Sequence, residues 1–424
     1  MKKILFVFAV ALISGITEIQ AQNYDKSKIP PFTLENPLEF VNGKKVKNAK
    51  DWQFRRQEIL DVFQSEMYGR MPSAPETVVT ETLDEGETLA GFAIRRQIRM
   101  WFKPDKSGPK IDWLVITPKH VKGPVPVILL LNYGGNHTVL DDEEILRYPN
   151  YTRVGLSSYD TGRGSMNKLN SPTIIPVNIL IARGYAVVTA CYEDISPDPD
   201  PGEDVEIAYT RIFDLWGKRD PERTDNTTSL NAWGWGLMRG MDMIERDPQL
   251  NEKQVLLTGY SRLGKAALIA GAFDERFPVV VPNQTGGGGA PLAKHYYGEN
   301  IKTETTSFLH WYCKAYAKYA DNEASLNFDQ HLFLACVAPR SLMIQGFDEP
   351  WYDTESEFMA LQAASPVWEM LGKEGLPKVA WPEDYGTEAI GSNLAYVRRN
   401  NDHGISAIDW IWMLDFADKN FGRK

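Results

Sequence analysis

The chain has 424 residues, 43% hydrophobic and 24% charged, with a formal net charge of −10. That apolar content supports a packed globular core and excludes a disordered or collagen-like chain. The acidic balance weighs against nucleic acid and membrane surfaces as partners, and three cysteines in this length exclude a disulfide scaffold.

Lys2 and Lys3 precede an apolar stretch from Ile4 to Ile13, and small residues follow down to Ala21. This is the layout of a secretory signal peptide, too short in its apolar part to span a bilayer. Residues 1–21 are read as a leader cleaved near Ala21, so the protein is expected to be secreted or periplasmic. Residues 22–110 form an N-terminal extension packed on the main sheet. It holds a helix within residues 51–69 and charged, alternating segments such as AIRRQIRMWFKP.

Residues 111–424 alternate strand-like apolar runs with helical patterns. WLVITP and VPVILLLNY are strands, and NILIARGYAVVTACYE is a short helix followed by a strand. AWGWGLMRGMDMIERD is helical, QVLLTGY a strand and SRLGKAALIAGAFD a helix. FPVVVPNQ, HLFLACVAPRSLMIQGF and a helix around GISAIDWIWMLDFADKNF complete the series. Near-continuous apolar strands separated by helices predict one α/β unit with a mainly parallel central sheet and helices on both faces. Long polar stretches at 134–172, 194–230 and 286–330 are functional insertions. Their aromatics argue against disorder. Cys191 and Cys336, inside apolar runs, read as buried and inert.

The segment LLTGYSRLGKAAL carries the chemistry. A strand, a Gly-x-Ser corner and a helix have the form of a nucleophile elbow, which lifts the Ser261 hydroxyl above the sheet edge. The pattern departs from G-x-S-x-G because Gly264 follows the serine by three residues, not two. A serine nucleophile needs a base, and the base needs an orienting group. His403 alone lies between the last strand region and the C-terminal helix, so it is the expected base. His120, His295, His310 and His331 read as structural. In the loop containing His137, the glycines matter more than the imidazole. The acid is expected after the strand RSLMIQGF: Gly346 selects Glu349, with Asp348 as the alternative, and Asp402 is too close in sequence to turn back onto His403. The carboxylates of PDPDPGED read as a solvated loop. The glycines at 286–289 lack the lysine of a P-loop, and nothing indicates a metal or other cofactor.

GYSRLGK with NQTGGGG, LNYGGNHT, WYDTESEF and NNDHGIS is more specific than an elbow. Together they resemble the glucuronoyl esterases of carbohydrate esterase family 15, bacterial type, within the α/β-hydrolase superfamily. The resemblance covers most of residues 110–420. It implies an α/β-hydrolase fold with long active-site insertions and a serine esterase cleaving esters of 4-O-methyl-glucuronic acid, as in xylan–lignin linkages. By it, Ser261 is the nucleophile, His403 the base and Arg262 the oxyanion stabiliser. Lys265, one turn along and on the Ser261 side of the helix, binds sugar hydroxyls, with Glu299 and Trp351 as further contacts. Gln284 falls where many members carry the triad acid. It cannot serve as a carboxylate, so it is grouped with the substrate contacts, and the acid role passes to Glu349. A monomer acting on glucuronoxylan is expected. An acetyl xylan esterase and a non-catalytic carbohydrate-binding homologue are the competing readings.

Overall fold

Among the described residues, β-branched and leucine runs form the centre of a nine-stranded sheet. The computed structural model describes residues 22–147, 162–383, 385–399 and 403–423. The leader, part of the first insertion and Asp402 lie outside these residues. The strands are β1 (Val79–Thr88), β2 (Ala93–Trp101), β3 (Lys110–Pro118), β4 (Val125–Asn132), β5 (Ala186–Cys191), β6 (Leu250–Tyr260), β7 (Val279–Asn283), β8 (Ser341–Phe347) and β9 (Leu394–Arg399). Their order is β1-β2-β3-β5-β4-β6-β7-β8-β9. From β5 to β9 every pairing is parallel. Every residue of β4 and β5 is buried, as a sheet covered on both faces requires.

The extension does more than pack on this sheet. β1, β2 and β3 pair antiparallel and join β5, so residues 79–101 lengthen the sheet on one side. The charged alternation of β2 has a reason. Arg95 reaches Asp84 and Asp142, each at 2.7 Å, and Arg96 reaches Asp247 at 2.6 Å. A buried guanidinium is tolerated because its carboxylate partner is supplied by the fold. The helix Ala49–Phe63 does pack on the core: Phe63 meets Phe333 with ring centroids 4.7 Å apart, and Arg56 Nε donates to the Cys336 carbonyl (3.0 Å).

Aromatic side chains bind the insertions to the core. Trp216 packs edge-on against Trp235, and Trp233 against Trp311. Cys191, Cys313 and Cys336 are all buried, and among the described residues none is in a disulfide. Among the described residues, no helix is long and apolar enough to cross a membrane.

Register then places the site. Tyr260 pairs with Asn283, Asn283 with Gln345 and Phe347 with Arg399. The carboxyl ends of β6 to β9 therefore lie along one edge, where ligands bind in open α/β sheets. Ser261 and Gln284 are the first residues beyond β6 and β7, Asp348 and Glu349 follow β8, and His403 follows β9.

Candidate active site

Ser261 has φ 55° and ψ −127°, a conformation that costs a non-glycine residue about 1–3 kcal/mol. The surroundings impose it. Ser261 N–H donates to the Asn283 carbonyl of β7 at 2.9 Å, and the helix Arg262–Phe273 starts at once. The serine side chain does not cap that helix. The glycine spacing has a steric cause. A Cβ on residue 259 would lie 2.1 Å from the Leu263 carbonyl oxygen, and one on residue 264 would lie 2.9 Å from that of Asn283. Gly259 lets the strand turn under the helix, and Gly264 lets the helix lie against the end of β7.

The first turn of the helix carries two cations. Arg262 Nη1 donates to Asp198, and its guanidinium lies 4.9 Å from the Trp311 ring centroid. Arg262 Nε is buried without an acceptor among the described residues. Burial opposes the charge, yet the Asp198 carboxylate and the oxygens of Tyr192 and Tyr133 together outweigh it and hold the guanidinium protonated. Lys265 is buried, 3.8 Å from Glu299 Oε2 and 4.8 Å from the Trp311 ring centroid. Desolvation raises the Glu299 carboxyl, while Lys265, the Gly287 N–H, Arg262 and the Trp351 side chain pull it down. Glu299 N–H also donates to the Trp351 carbonyl at 2.9 Å. Lys265, Glu299 and Trp351 thus lie together. At 3.8 Å the ammonium and carboxylate are in charge contact but not hydrogen-bonded, so each retains capacity for a hydroxyl.

His403 is wedged between rings, with centroids 4.6 Å from Tyr260, 4.5 Å from Tyr352 and 5.2 Å from Phe347. Its Nδ1 lies 3.1 Å from Gln284 Oε1. The Gly404 backbone decides which way that amide points: its N–H donates to Oε1 (3.2 Å), and its carbonyl accepts from Nε2 (2.6 Å). Nδ1 must therefore carry the proton and donate, which leaves Nε2 with its lone pair as a base requires. Arg399 stiffens the turn, donating to the Gly404 carbonyl (2.6 Å) and to Asp409. Burial, then the charges of Arg262, Lys265 and Arg399, push the imidazole down to about 3. Among the described residues no hydrogen bond joins Ser261 Oγ to His403. Such contacts often tighten only when substrate is bound.

Several expectations need correction. Glu349 is exposed and makes no hydrogen bond to His403. Asp348 is also exposed and pairs with Arg398. The loop after β8 does reach the imidazole, but with the ring of Tyr352. Gln284 faces His403 rather than a sugar site; its φ of 49° turns the chain at the end of β7 and aims the amide there. The PDPDPGED loop is not merely solvated, because Asp198 is buried against Arg262, and His310 binds the same carboxylate. A small hint was present: an aspartate between two prolines sits on stiff backbone. In the early loop, Tyr133 O–H donates to the Tyr260 carbonyl at 2.5 Å and ties that loop to the elbow. Among the described residues, no three His, Cys, Asp or Glu side chains group as a metal site.

The family model for fungal glucuronyl esterases matches residues 158–372, about half of the chain. A carbohydrate esterase from an unknown prokaryotic organism is 37% identical over 406 residues, covering 93% of this chain and 91% of the relative. The chain belongs to the glucuronyl esterase family. A glucuronoyl esterase structure from Solibacter usitatus superposes with a TM-score of 0.84 at 34% identity, over 94% of this chain and all of that one. The 4-O-methyl-glucuronoyl methylesterase of Schizophyllum commune is 25% identical over 414 residues, 93% of this chain and 86% of that protein. This glucuronyl esterase is accordingly a carboxylic ester hydrolase of glucuronic acid esters, built on the α/β-hydrolase fold.

Proposed function

We propose that this esterase is an exported serine hydrolase that cleaves the ester between a glucuronic acid of xylan and an alcohol of lignin. In this reading Ser261 Oγ attacks the ester carbonyl while His403 Nε2 takes its proton. Arg262 and the N-terminus of its helix stabilise the oxyanion of the tetrahedral intermediate. Collapse expels the alcohol, which regains the proton from His403, and water then hydrolyses the acyl-enzyme by the same steps. Gln284 holds the imidazole in the required tautomer, the part an acid plays in a Ser-His-acid triad. Lys265, Glu299 and Trp351 hold the sugar ring. The leader sequence supports export, and the resemblance to enzymes named for 4-O-methyl-glucuronate supports the substrate class.

One observation carries the substrate reading: the buried Lys265–Glu299 pair, four residues from Ser261 along the helix and open to further hydrogen bonds. A small acyl group such as acetate gives that pair nothing to hold. Lys265→Ala is therefore expected to lower kcat/KM on benzyl glucuronate at least tenfold more than on an aryl acetate. Equal losses on the two esters would reject a sugar-binding role for Lys265.

A further inference from the structure

We infer that Asp198 is the positioning residue of the oxyanion arginine, and that activity depends on two insertions meeting at its carboxylate. The inference rests on the proposed role of Arg262 and concerns what aims that side chain.

Asp198 is buried, and both of its oxygens are occupied. Oδ1 accepts from His310 Nε2 (2.6 Å) and Trp311 Nε1 (2.9 Å); Oδ2 accepts from Tyr192 O–H (3.2 Å) and Arg262 Nη1. Four donors from three directions leave the carboxylate no freedom to rotate. These donors and the burial draw its titration in opposite senses. Desolvation favours the neutral acid, but Arg262, His310 and Trp311 prevail and keep it ionised. Asp198 comes from the 194–230 insertion, and His310 and Trp311 come from the 286–330 insertion. Neither insertion can hold Arg262 alone: one supplies the anion, the other fixes the anion's orientation.

The consequence lies in what the guanidinium has left to offer. With Nη1 taken by Asp198 and the plane beside Trp311, the guanidinium keeps one orientation, and its side chain is still 26% exposed. A cation fixed next to the nucleophile is arranged for charge that appears only during reaction. A second buried carboxylate, Glu299, also feels the Arg262 charge. Without Asp198, Arg262 would be drawn towards Glu299 and away from the reacting carbonyl.

The test is a double-mutant cycle read as kcat on an aryl acetate, with benzyl glucuronate in parallel. Asp198→Asn is expected to lower kcat by about a hundredfold, the loss typical of removing one oxyanion donor, with KM for the acetate within threefold of wild type. Added to Arg262→Ala, the same substitution should cost less than twofold more. Independent, multiplying losses would overturn the inference, as would an Asp198→Asn enzyme of full activity. If Asp198→Asn fails to fold, Trp311→Phe decides the matter, because it removes one donor to Oδ1 and keeps an aromatic ring at that position. Its kcat loss should also vanish in the Arg262→Ala background, and a loss that persists there rejects the inference. Coupling is read on the acetate, so a wild-type enzyme inactive on benzyl glucuronate would reject the substrate class while the cycle still tests Asp198.

Discussion

The imidazole of His403 is oriented by an amide: its Nδ1 lies 3.1 Å from Gln284 Oε1, and Gly404 fixes the direction of that amide from both sides. A neutral partner can select the tautomer but does little to stabilise the imidazolium formed during catalysis. This pairing decides how the site should respond to pH and to substitution at residue 284.

His403 is held down at about 3, first by burial and then by the neighbouring cations. The base should stay neutral well below its ordinary range. The acid limb of kcat/KM is therefore expected below pH 5 rather than near 6.5. Stability runs the other way. The unfolded chain takes up this proton near pH 6.5, so it binds more protons than the fold between 6.5 and 3. His331, buried and held to about 4, adds to the effect. Unfolding free energy should fall as pH drops through that window. Urea titrations at several pH values and a kcat/KM profile measure both.

Gln284→Glu places an anion beside Nδ1, which favours the charged imidazole and raises its pKa. The acid limb of kcat/KM should move up by a unit or more. Folding should suffer, because a carboxylate oxygen would face the Gly404 carbonyl where the amide nitrogen now donates. A lower Tm with a shifted limb is the expected pair of results. An unmoved limb would show that the imidazole is held by another group.

Substitutions in the loop after β8 should be mild. Glu349→Gln removes an exposed carboxylate with no bond to His403, so kcat should change less than about threefold. Asp348→Asn breaks an exposed pair with Arg398, a contact worth about 1 kcal/mol or less. Removing the Tyr352 ring that covers the imidazole should cost more kcat than either. A hundredfold loss in Glu349→Gln would restore Glu349 as the orienting acid.

Ser261→Gly should abolish turnover and yet raise stability by about 1 kcal/mol. Glycine takes φ 55°, ψ −127° without the steric cost that serine bears. Denaturant midpoints compare the two proteins. Lower stability in the glycine variant would mean that the serine conformation is not strained.

Local patterns in the sequence determined the class of fold and the corner that carries Ser261. Apolar runs of strand length, helices between them and a Gly-x-Ser turn are short-range signals, readable without knowing what lies across the sheet. Lys265, Glu299 and Trp351 entered through motif resemblance, and the fold brings them together. Other features are invisible along the chain because they arise from register. Residues 79–101 join the sheet through their ladders to one another and to β3. The buried arginines of β2 are tolerated because they find carboxylates on β1, in the early loop and beyond the helix Ser229–Ile244. The orienting group of His403 depends on the positive φ of Gln284 and on Gly404, 120 residues away. Asp198 looked like a surface acid among prolines until Arg262, His310, Trp311 and Tyr192 closed around it. A carboxylate becomes part of a site through desolvation and the donors around it, and only the tertiary structure supplies those.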